Sequence, residues 1–474
     1  MSLQEGFPFR SPGIDLIKTN KGGILKFIGK TVALYVTQTD AIFLSLCDGT
    51  RSMSKIAILL SELYKVDSRT ILNDITRLAE KLHELHVLVM LPMALEKRLS
   101  TMEDWHEFVF IPADESCPVV PARISSIGFA LTNYCPYNCE YCYGAFGSEN
   151  EAFYLPTAKV ISIIEDARKL GKVEYVSLGG GDPIAHSGLS EIVSYLESCR
   201  ITYELSTKGL LLSKKKVDEL VVAGIRNIQI SIDAWHPEVW SEIVGLPKHA
   251  FNSAIESFIY CKSANVSTRA RITLSRRNLE ELPYLLENLP FLGVSEIRIV
   301  TLMPSGRARI NEIPNRDQIE SALEVVEAFR SKYGNKPEIV FGVHRYTSSL
   351  SCGGAKLAMQ IGADGEVLLC DVVEGLDRAR FSYGNVFRNS IEEIWFSEQA
   401  DAFRTNREIS ECLDCVKFAQ CNGGCRALAF SYYNSYDSPD PRCSRISGKE
   451  GDILEWPVKR QPGGGGEIWR MKRR

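Results

Sequence analysis

Apolar and amphipathic stretches alternate regularly through the middle of the chain. Short apolar runs are typical of strands, and apolar residues three to four positions apart are typical of helices. Six strand–helix pairs follow one another in this region. The predicted strands lie near 124–131, 174–178, 203–206, 227–232, 268–274 and 296–302, and the predicted helices near 157–170, 188–199, 213–223, 249–264, 279–289 and 317–332.

Strands separated by helices pair in parallel, because a parallel neighbour needs a crossover connection. Right-handed crossovers in this number curl a sheet into a full or partial barrel. The sequence therefore predicts an α/β fold with a partial (β/α)6 TIM-like barrel over residues 122–345. In such barrels the chemistry lies at the carboxyl ends of the strands, where each motif described below falls.

A smaller unit over residues 1–92 precedes the barrel. Its pattern predicts a hairpin around Gly22-Gly23, a strand near 31–36 and two helices, the second near 68–86. Residues 93–121 contain several prolines, and we interpret them as a linker. Together these patterns predict a small domain joined to the barrel by an irregular segment.

The alternation fades after about residue 345, and glycines, turns and cysteines take over. Residues 346–450 are predicted to form a cysteine-rich domain, and the Gly-rich, then basic, stretch 451–474 a flexible tail. The formal net charge of −4 over 474 residues does not favour nucleic-acid or membrane binding. No secretory signal and no apolar run of transmembrane length is present, so we expect a cytoplasmic protein.

Fourteen cysteines change this picture, because clustered cysteines in a long cytoplasmic chain usually indicate metal binding. One group has the spacing C-x3-C-x2-C just after the first barrel strand, at Cys135, Cys139 and Cys142. Thiolates are ligands that suit iron–sulfur clusters, and three of them leave one iron of a four-iron cluster open. A zinc site would need a fourth protein ligand.

This loop resembles that of the radical S-adenosylmethionine (SAM) superfamily, and Tyr141 fits the aromatic position before its third cysteine. Gly180, Gly181 and Asp182 at the end of the second strand match the family's GGEP-type turn, with aspartate in place of glutamate. The resemblance implies a [4Fe-4S] cluster that reductively cleaves SAM to a 5′-deoxyadenosyl radical. It also implies an external electron donor such as flavodoxin or ferredoxin.

The next two strands end in polar residues that the family uses to contact SAM, here Ser206, Ser231 and Asp233. The alternative is that these residues cap the helices that follow. The family often has an arginine before the glycine found here as Gly245, but this chain has Val244. An arginine contact to SAM must therefore come from elsewhere.

The C-terminal cysteines resemble the SPASM extension, which binds auxiliary iron–sulfur clusters, at all seven of its positions. The family pattern implies one cluster held by Cys412, Cys415, Cys421 and Cys443, and a second held by Cys352, Cys370 and Cys425, which makes three [4Fe-4S] clusters in all. A zinc ribbon is the alternative. The second set lacks a fourth cysteine, so its cluster has an open iron unless His344 or a serine completes it.

Asp371 directly follows Cys370. In the related sulfatase-maturing enzymes the aspartate at this place acts as a base on the substrate, so the resemblance implies a catalytic role. The alternative is that Asp371 accepts hydrogen bonds beside the cluster without taking part in the chemistry.

The N-terminal unit resembles the PqqD-like recognition element, a small winged-helix domain of enzymes that modify ribosomally made peptides (RiPPs). In that family an edge strand and the third helix bind the leader of the precursor peptide. A DNA-binding winged helix and a structural cap are the alternatives, and the mixed charges of the helix near 68–86 do not favour DNA.

The three resemblances imply a RiPP maturase that abstracts a hydrogen atom from a precursor peptide and forms a crosslink, which we expect to be a cysteine thioether. The alternative is a carbon–carbon or carbon–oxygen crosslink between side chains. A formylglycine-type maturase fits less well, because of the N-terminal unit and the missing cysteine. A MoaA-like cofactor enzyme is disfavoured, because such enzymes have three C-terminal cysteines, whereas this chain has seven. A non-catalytic iron–sulfur sensor is disfavoured too, because a sensor would not need the intact cysteine loop and GGDP turn that this chain has.

Overall fold

A computed structural model of the protein describes residues 6–11, 14–19, 22–27, 33–84, 87–95, 124–147, 151–334, 336–342, 352–404, 409–415 and 418–443. Most of the predicted linker, His344 and the predicted tail lie outside the described residues. No helix in the described ranges is both long and apolar enough to cross a membrane.

The N-terminal unit has its own apolar core and two small antiparallel sheets. Its elements are β1 (Phe7–Arg10), β2 (Ile14–Thr19), β3 (Gly22–Phe27), β4 (Ala33–Thr37), α1 (Gln38–Leu46), α2 (Met53–Tyr64), α3 (Ser68–Glu84) and β5 (Leu88–Leu91). Strands β2, β3 and β4 form one sheet in that order, and β1 pairs with β5. The predicted hairpin, strand and helices are therefore present.

The barrel has seven parallel strands. They are β6 (Ser126–Thr132), β7 (Tyr175–Gly180), β8 (Thr202–Thr207), β9 (Asn227–Ser231), β10 (Ser267–Leu274), β11 (Val294–Thr301) and β12 (Glu338–Gly342). The helices between them are α4 (Thr157–Lys169), α5 (Leu189–Ser198), α6 (Lys214–Val222), α7 (Pro237–Val244), α8 (Ala250–Ser263), α9 (Leu282–Asn288) and α10 (Arg316–Tyr333). The mixed α/β fold with its parallel barrel sheet is thus confirmed.

Within the barrel, a strand and a helix were not predicted from the sequence. Strand β12 adds a seventh parallel strand beside β11. This strand was not predicted, because its apolar run is short and follows α10 directly. Helix α7 was also missed. It begins at Pro237, a favourable first helical residue, and ends at Gly245, which adopts a left-handed conformation.

The cysteine-rich region continues the barrel sheet rather than forming a separate layer. Strand β13 (Ala358–Ile361) pairs in parallel with β6, and β14 (Glu366–Leu368) and β15 (Ser382–Asn385) follow antiparallel. The helices of this region are α11 (Arg378–Phe381), α12 (Ile391–Trp395), α13 (Glu398–Arg404), α14 (Phe418–Cys421) and α15 (Arg426–Tyr433). Every residue of β6 is buried, because both neighbouring strands cover its edges.

Alternation along the barrel strands separates two faces of the sheet. In β10 the residues facing the helices are buried, whereas Arg269, Arg271 and Thr273 face the inner side and are partly accessible. Period-two alternation of this kind directs one set of side chains to the core and the other set to the barrel interior. The inner face is therefore polar and leads up to the carboxyl ends of the strands.

Candidate functional site

The loop after β6 brings together the three thiols predicted to hold the SAM cluster. Its backbone is fixed by hydrogen bonds from Cys135 N to Gly147 O (3.4 Å) and from Cys142 N to Cys139 O (3.2 Å). Burial raises the pKa of Cys135, and the nearby charges of Asp182, Cys139 and Cys142 raise it further. The three thiols are thus close neighbours.

The chemistry of this loop fits an iron–sulfur cluster. Burial raises the pKa of Cys139 to about 12, so its thiolate needs a compensating positive charge, which iron supplies. Among the described residues, no three histidine, cysteine or carboxylate side chains converge closely enough to hold a single metal ion.

The two glycines of the second motif pack against the chain that leads into the cysteine loop. A Cβ on Gly181 would lie 2.0 Å from Tyr134 O, and one on Gly180 would lie 2.5 Å from Thr132 O. Gly181 N and Asp182 N donate to Thr132 O and Tyr134 O at 2.7 and 2.8 Å. These glycines therefore let the turn approach the backbone that leads into the cysteine loop.

Asp182 is almost fully buried, with 1% of its surface exposed. The hydroxyl of Thr207 lies 2.9 Å from both of its carboxylate oxygens, and Ile184 N donates to Oδ1 at 3.1 Å. Burial raises the pKa of Asp182 to about 6, although these hydrogen bonds act in the opposite direction. The carboxyl group lies beside Cys135 and links β7 to the end of β8.

Tyr141, Lys208 and Asp233 form a buried triad at the ends of β8 and β9. Lys208 Nζ donates to Asp233 Oδ2 at 2.6 Å and to the Tyr141 hydroxyl at 2.7 Å, and Tyr141 also donates to Asp233 Oδ2. Burial alone would lower the pKa of Lys208, but Asp233 and Tyr141 outweigh it and raise this pKa well above its usual value. The ammonium is therefore charged, and it lies near Cys139.

The two predicted serines lie on the inner face of the barrel. Ser206 Oγ accepts a hydrogen bond from Gln229 Nε2 at 2.8 Å, which places it against the neighbouring strand β9. Ser231 is the last residue of β9 and is level with Arg271 of β10. Both positions open onto the region between the sheet and the cysteine loop.

Arg307 joins the segment after β11 to the cysteine loop. Its Nε donates to Cys139 O at 2.8 Å, its Nη2 donates to Phe146 O at 2.7 Å, and its backbone N donates to Cys142 O at 3.0 Å. These bonds hold the loop by its carbonyl oxygens, which leaves the thiols free to point at a cluster.

The seven C-terminal cysteines form two groups. Burial raises the pKa of Cys412 to about 11, and the charges of Cys421, Cys443 and Cys415 add to it. Burial and Asp371 raise the pKa of Cys370, followed by the charges of Cys352 and Cys425. These neighbours are the two sets that the SPASM resemblance implies.

Buried cations surround the C-terminal cysteines. Arg404 has no exposed side-chain surface and donates to Ala355 O at 2.6 Å, and Arg426 donates to Phe403 O at 2.9 Å. Arg442 forms a bidentate pair with buried Asp440, whose Oδ2 also accepts from Cys425 N at 2.8 Å. Positive charge at this place suits negatively charged cluster–thiolate groups.

A tight junction joins the segment after Cys370 to the SAM-cluster loop. Ser305 Oγ lies 3.0 Å from Tyr143 O and 2.5 Å from Val372 O, and Gly306 N donates to Gly375 O at 3.2 Å. Asp371, at the start of this segment, is exposed, and its charge raises the pKa of Tyr143 after the larger effect of burial. Asp371 therefore lies at the mouth of the site.

Sequence reasoning missed three residues of this site. Tyr137 bridges Lys208 O and Leu210 N at 2.8 and 2.9 Å, Lys208 completes the buried triad, and Arg307 holds the cysteine loop. The available sequence signals were the polar residues that follow β8, which include Lys208, and the segment after β11, which includes Arg307. Neither signal identifies a partner from a loop more than sixty residues away in the sequence.

Comparisons with known proteins agree with this arrangement. The family model of the Radical SAM superfamily matches residues 129–289, and that of an iron–sulfur cluster-binding domain, SPASM, matches residues 352–416. A PqqA peptide cyclase of Methylocella silvestris is 28% identical over 322 residues, which span 66% of this chain and 85% of the relative.

Solved structures share the fold over nearly the whole chain. Streptococcus suis SuiB bound to S-adenosylmethionine has a TM-score of 0.59 at 16% identity, covering 92% of this chain and 99% of SuiB. SuiB bound to precursor peptide SuiA has the same TM-score and identity and covers 91% and 98%. The fold is therefore shared with SuiB, and the Radical SAM and SPASM models match the two regions in which the cysteine motifs lie.

Proposed function

We propose that this protein is a RiPP maturase that binds a ribosomal precursor peptide through its leader and crosslinks the core of that peptide by radical SAM chemistry. The observation that carries the proposal is the junction between the two cysteine regions, where Gly375 and Ser305 contact the backbone of Tyr143. This junction joins the segment that follows Cys370 to the loop that carries Cys135, Cys139 and Cys142. The names of the relatives, a peptide cyclase and a precursor-bound SuiB, support a peptide substrate.

The proposed cluster ligands follow the three groups of thiols. Cys135, Cys139 and Cys142 would hold the SAM cluster, which supplies a 5′-deoxyadenosyl radical when SAM is bound and the cluster is reduced by a flavodoxin- or ferredoxin-like donor. Two auxiliary [4Fe-4S] clusters would be held by Cys412, Cys415, Cys421 and Cys443, and by Cys352, Cys370 and Cys425. Tyr141, Gly180, Gly181, Asp182, Ser206, Ser231 and Asp233 line the proposed SAM site.

Forming a carbon–sulfur bond from a C–H and an S–H group removes two hydrogens from the peptide. One would leave as a hydrogen atom to the deoxyadenosyl radical, and the other would leave as a proton. The remaining electron would need an acceptor, which an auxiliary cluster held by Cys352, Cys370 and Cys425 would supply. We assign the proton to Asp371, which is exposed at the mouth of the site and hydrogen-bonds only to its neighbour Val372 N among the described residues. Its carboxylate is therefore available to a substrate.

A thioether is the crosslink that we favour, because the set of Cys352, Cys370 and Cys425 has only three described thiols. A fourth position open on iron would accept a substrate thiolate. The second candidate is a carbon–carbon or carbon–oxygen crosslink, and the relatives named as peptide cyclases favour it, since that name does not require a cysteine. His344 and the nearby serines lie outside the described residues.

The N-terminal unit is proposed to bind the leader. Its three-stranded sheet has β4 at one edge, and α3 follows in the same core. An extended peptide adds to such an edge by backbone hydrogen bonds, and an adjoining helix supplies side-chain contacts. Helix α3 begins at Ser68, and Asp67 caps it, because Asp67 Oδ2 accepts from Arg69 N and Thr70 N at 3.0 and 3.1 Å.

The first experiment uses anaerobically reconstituted protein with SAM and dithionite, and it counts iron in the same preparation. We expect 5′-deoxyadenosine and about twelve iron per chain, the content of three four-iron clusters. Replacing Cys135, Cys139 and Cys142 together by alanine should abolish 5′-deoxyadenosine and leave about eight iron. Intact SAM, or zinc in place of iron, would contradict the proposed activity.

The second experiment separates the two crosslinks. A short precursor peptide encoded beside this protein is co-expressed with it, and the mass of the peptide is measured. A thioether predicts the loss of two hydrogens in the native peptide and no loss when its cysteines are changed to serine. Retention of the mass loss in the serine peptide would replace the thioether by a carbon–carbon or carbon–oxygen crosslink.

A further inference from the structure

Among the described residues, two arginines on the inner face of the barrel are paired with carboxylates, whereas a third arginine on that face is not. Arg269 contacts Glu204 and lies 2.8 Å from Glu296, and Arg298 lies 3.0 Å from Glu296 and 3.5 Å from Glu204. The two carboxylates thus balance two guanidinium groups. Arg271, two residues after Arg269 on the same face of β10, adds a third positive charge.

Arg271 has no acceptor for its guanidinium in the part of the chain that the structure describes. Its Nε is buried and makes no hydrogen bond, and its side chain belongs to no ion pair there. A buried donor left without a partner costs free energy, and a guanidinium offers five donors. An unpaired arginine at this depth is therefore suited to an anion that is not part of the protein.

The position of Arg271 places that anion near the SAM site. The residue is level with Ser231 at the end of β9. Its charge also opposes the rise that burial causes in the pKa of Tyr143, the residue that follows Cys142. It therefore faces the space between the strand ends and the cluster loop. This is also the place at which SAM would reach the open iron.

The other cations of the site are already engaged. Lys208 is paired with Asp233, and Arg307 donates to the carbonyl oxygens of Cys139 and Phe146. At the position where the resembling family often has an arginine, Val244 is fully buried in the apolar core. A carboxylate bound here would thus find its counter-charge at none of these three positions.

We propose that Arg271 binds the carboxylate of the methionyl end of SAM. A planar guanidinium matches a carboxylate with two parallel N–H···O bonds, and such charge-assisted bonds are among the strong ones. Arg271 on the fifth strand thereby replaces the missing arginine beside Gly245. This inference rests on the proposed function, because it assumes that the enzyme binds SAM.

The test measures SAM affinity by equilibrium dialysis on anaerobically reconstituted enzyme, with iron counted in every sample. The variants are Arg271→Gln, Arg271→Lys and, as a matched control, Arg226→Gln, which removes an exposed arginine just before β9. We expect R271Q to bind SAM about 10- to 100-fold more weakly, the effect of losing a charged hydrogen bond. R271K should recover part of the loss, and R226Q should match the wild type.

A decarboxylated SAM analogue identifies the group that Arg271 contacts. The wild type should prefer SAM to the analogue, and R271Q should lose that preference by the same factor as it loses SAM affinity, as a double-mutant cycle requires for a direct contact. Equal losses for SAM and the analogue would overturn the inference, as would unchanged SAM affinity in R271Q. A wild-type enzyme that binds no SAM would instead refute the proposed function.

Discussion

Glu374 shows how burial of a single carboxyl group sets a pH dependence. Burial of this carboxyl group raises its pKa from 4.5 to about 7. The positive charge of Arg378 opposes this rise, and the negative charges of Asp364 and Asp371 add to it. Arg378 Nε lies 3.0 Å from Glu374 Oε2, yet neither atom makes an aligned hydrogen bond, because Arg378 forms its bidentate pair with Asp364. The attraction therefore does not offset the lost hydration.

This shift has a definite sign. Between pH 4.5 and about 7 the folded chain holds the proton that the unfolded chain has released, so the free energy of unfolding falls as the pH rises. The slope approaches at most about 1.4 kcal/mol per pH unit. We expect Glu374→Gln to remove this contribution, which apparent melting temperatures from about pH 5.5 to 7.5 would report.

The control for this prediction is Asp377→Asn, which changes an exposed carboxylate in the same segment. It should keep the wild-type pH dependence, because Glu374 is retained. If Glu374→Gln and the wild type lose stability in parallel over the same range, Glu374 does not hold a proton near neutral pH.

At the residue scale, sequence reasoning found the groups that carry chemistry but not their partners. Tyr141 and Asp233 were both named as SAM contacts, yet Lys208 between them was not assigned a role. The spacing of the cysteines along a loop can be read directly from the sequence. The meeting of a loop with the ends of two distant strands depends on how the sheet curls, and no local pattern encodes it.

At the scale of elements, the contact between the turn after β11 and the cysteine loop leaves no room for a side chain. Gly306 has a φ of +62°, and a Cβ there would lie 2.2 Å from Cys142 O and 2.4 Å from Tyr143 O. A Cβ on Gly375 would lie 1.9 Å from the same Tyr143 carbonyl oxygen. The junction can form only if both of these positions are glycine.

We therefore expect Gly306→Ala to displace the cysteine loop. Crowding against a carbonyl oxygen cannot be relieved by a rotamer change, so the loop backbone must move. Iron should fall from about twelve to about eight per chain, because the auxiliary groups lie outside the displaced loop. Iron analysis with electron paramagnetic resonance in the presence and absence of SAM would check this.

Gly334→Ala separates strain from crowding in this experiment. Gly334 also has a positive φ, +76°, but a Cβ at this residue would have no neighbouring atom within 4 Å among the described residues. This variant carries the backbone strain of a non-glycine residue without a clash, and it should keep its iron. Equal iron loss in both variants would show that strain, rather than the junction, explains the effect.

The helices and strands themselves were largely accessible to sequence reasoning. The six predicted strands match β6 to β11 within a few residues, because each is a short apolar run beside an amphipathic helix. Strands β13 to β15 were not predicted, since they have three or four residues each, and β13 pairs with β6, which lies more than two hundred residues earlier. Pairing at that separation leaves no periodic signal.

At the scale of the whole molecule, the barrel and the cysteine-rich region share one sheet of ten strands. The order β7–β6–β13 places β6 in the interior of that sheet, and all seven of its residues are buried. The cysteine loop begins directly after β6. The SAM-cluster loop therefore depends on a strand whose second neighbour comes from the auxiliary region.

Truncation after residue 345 should therefore disable the barrel as well as the auxiliary clusters. Without β13, the backbone groups of apolar β6 lose their partner and present an unpaired edge, which favours aggregation. We expect this fragment to be insoluble or to bind no iron at Cys135, Cys139 and Cys142. Truncation after residue 450 is the matched control, because it keeps every described strand and every candidate cysteine, and it should retain about twelve iron. A soluble 1–345 fragment that binds four iron and cleaves SAM would show that the barrel folds independently of β13.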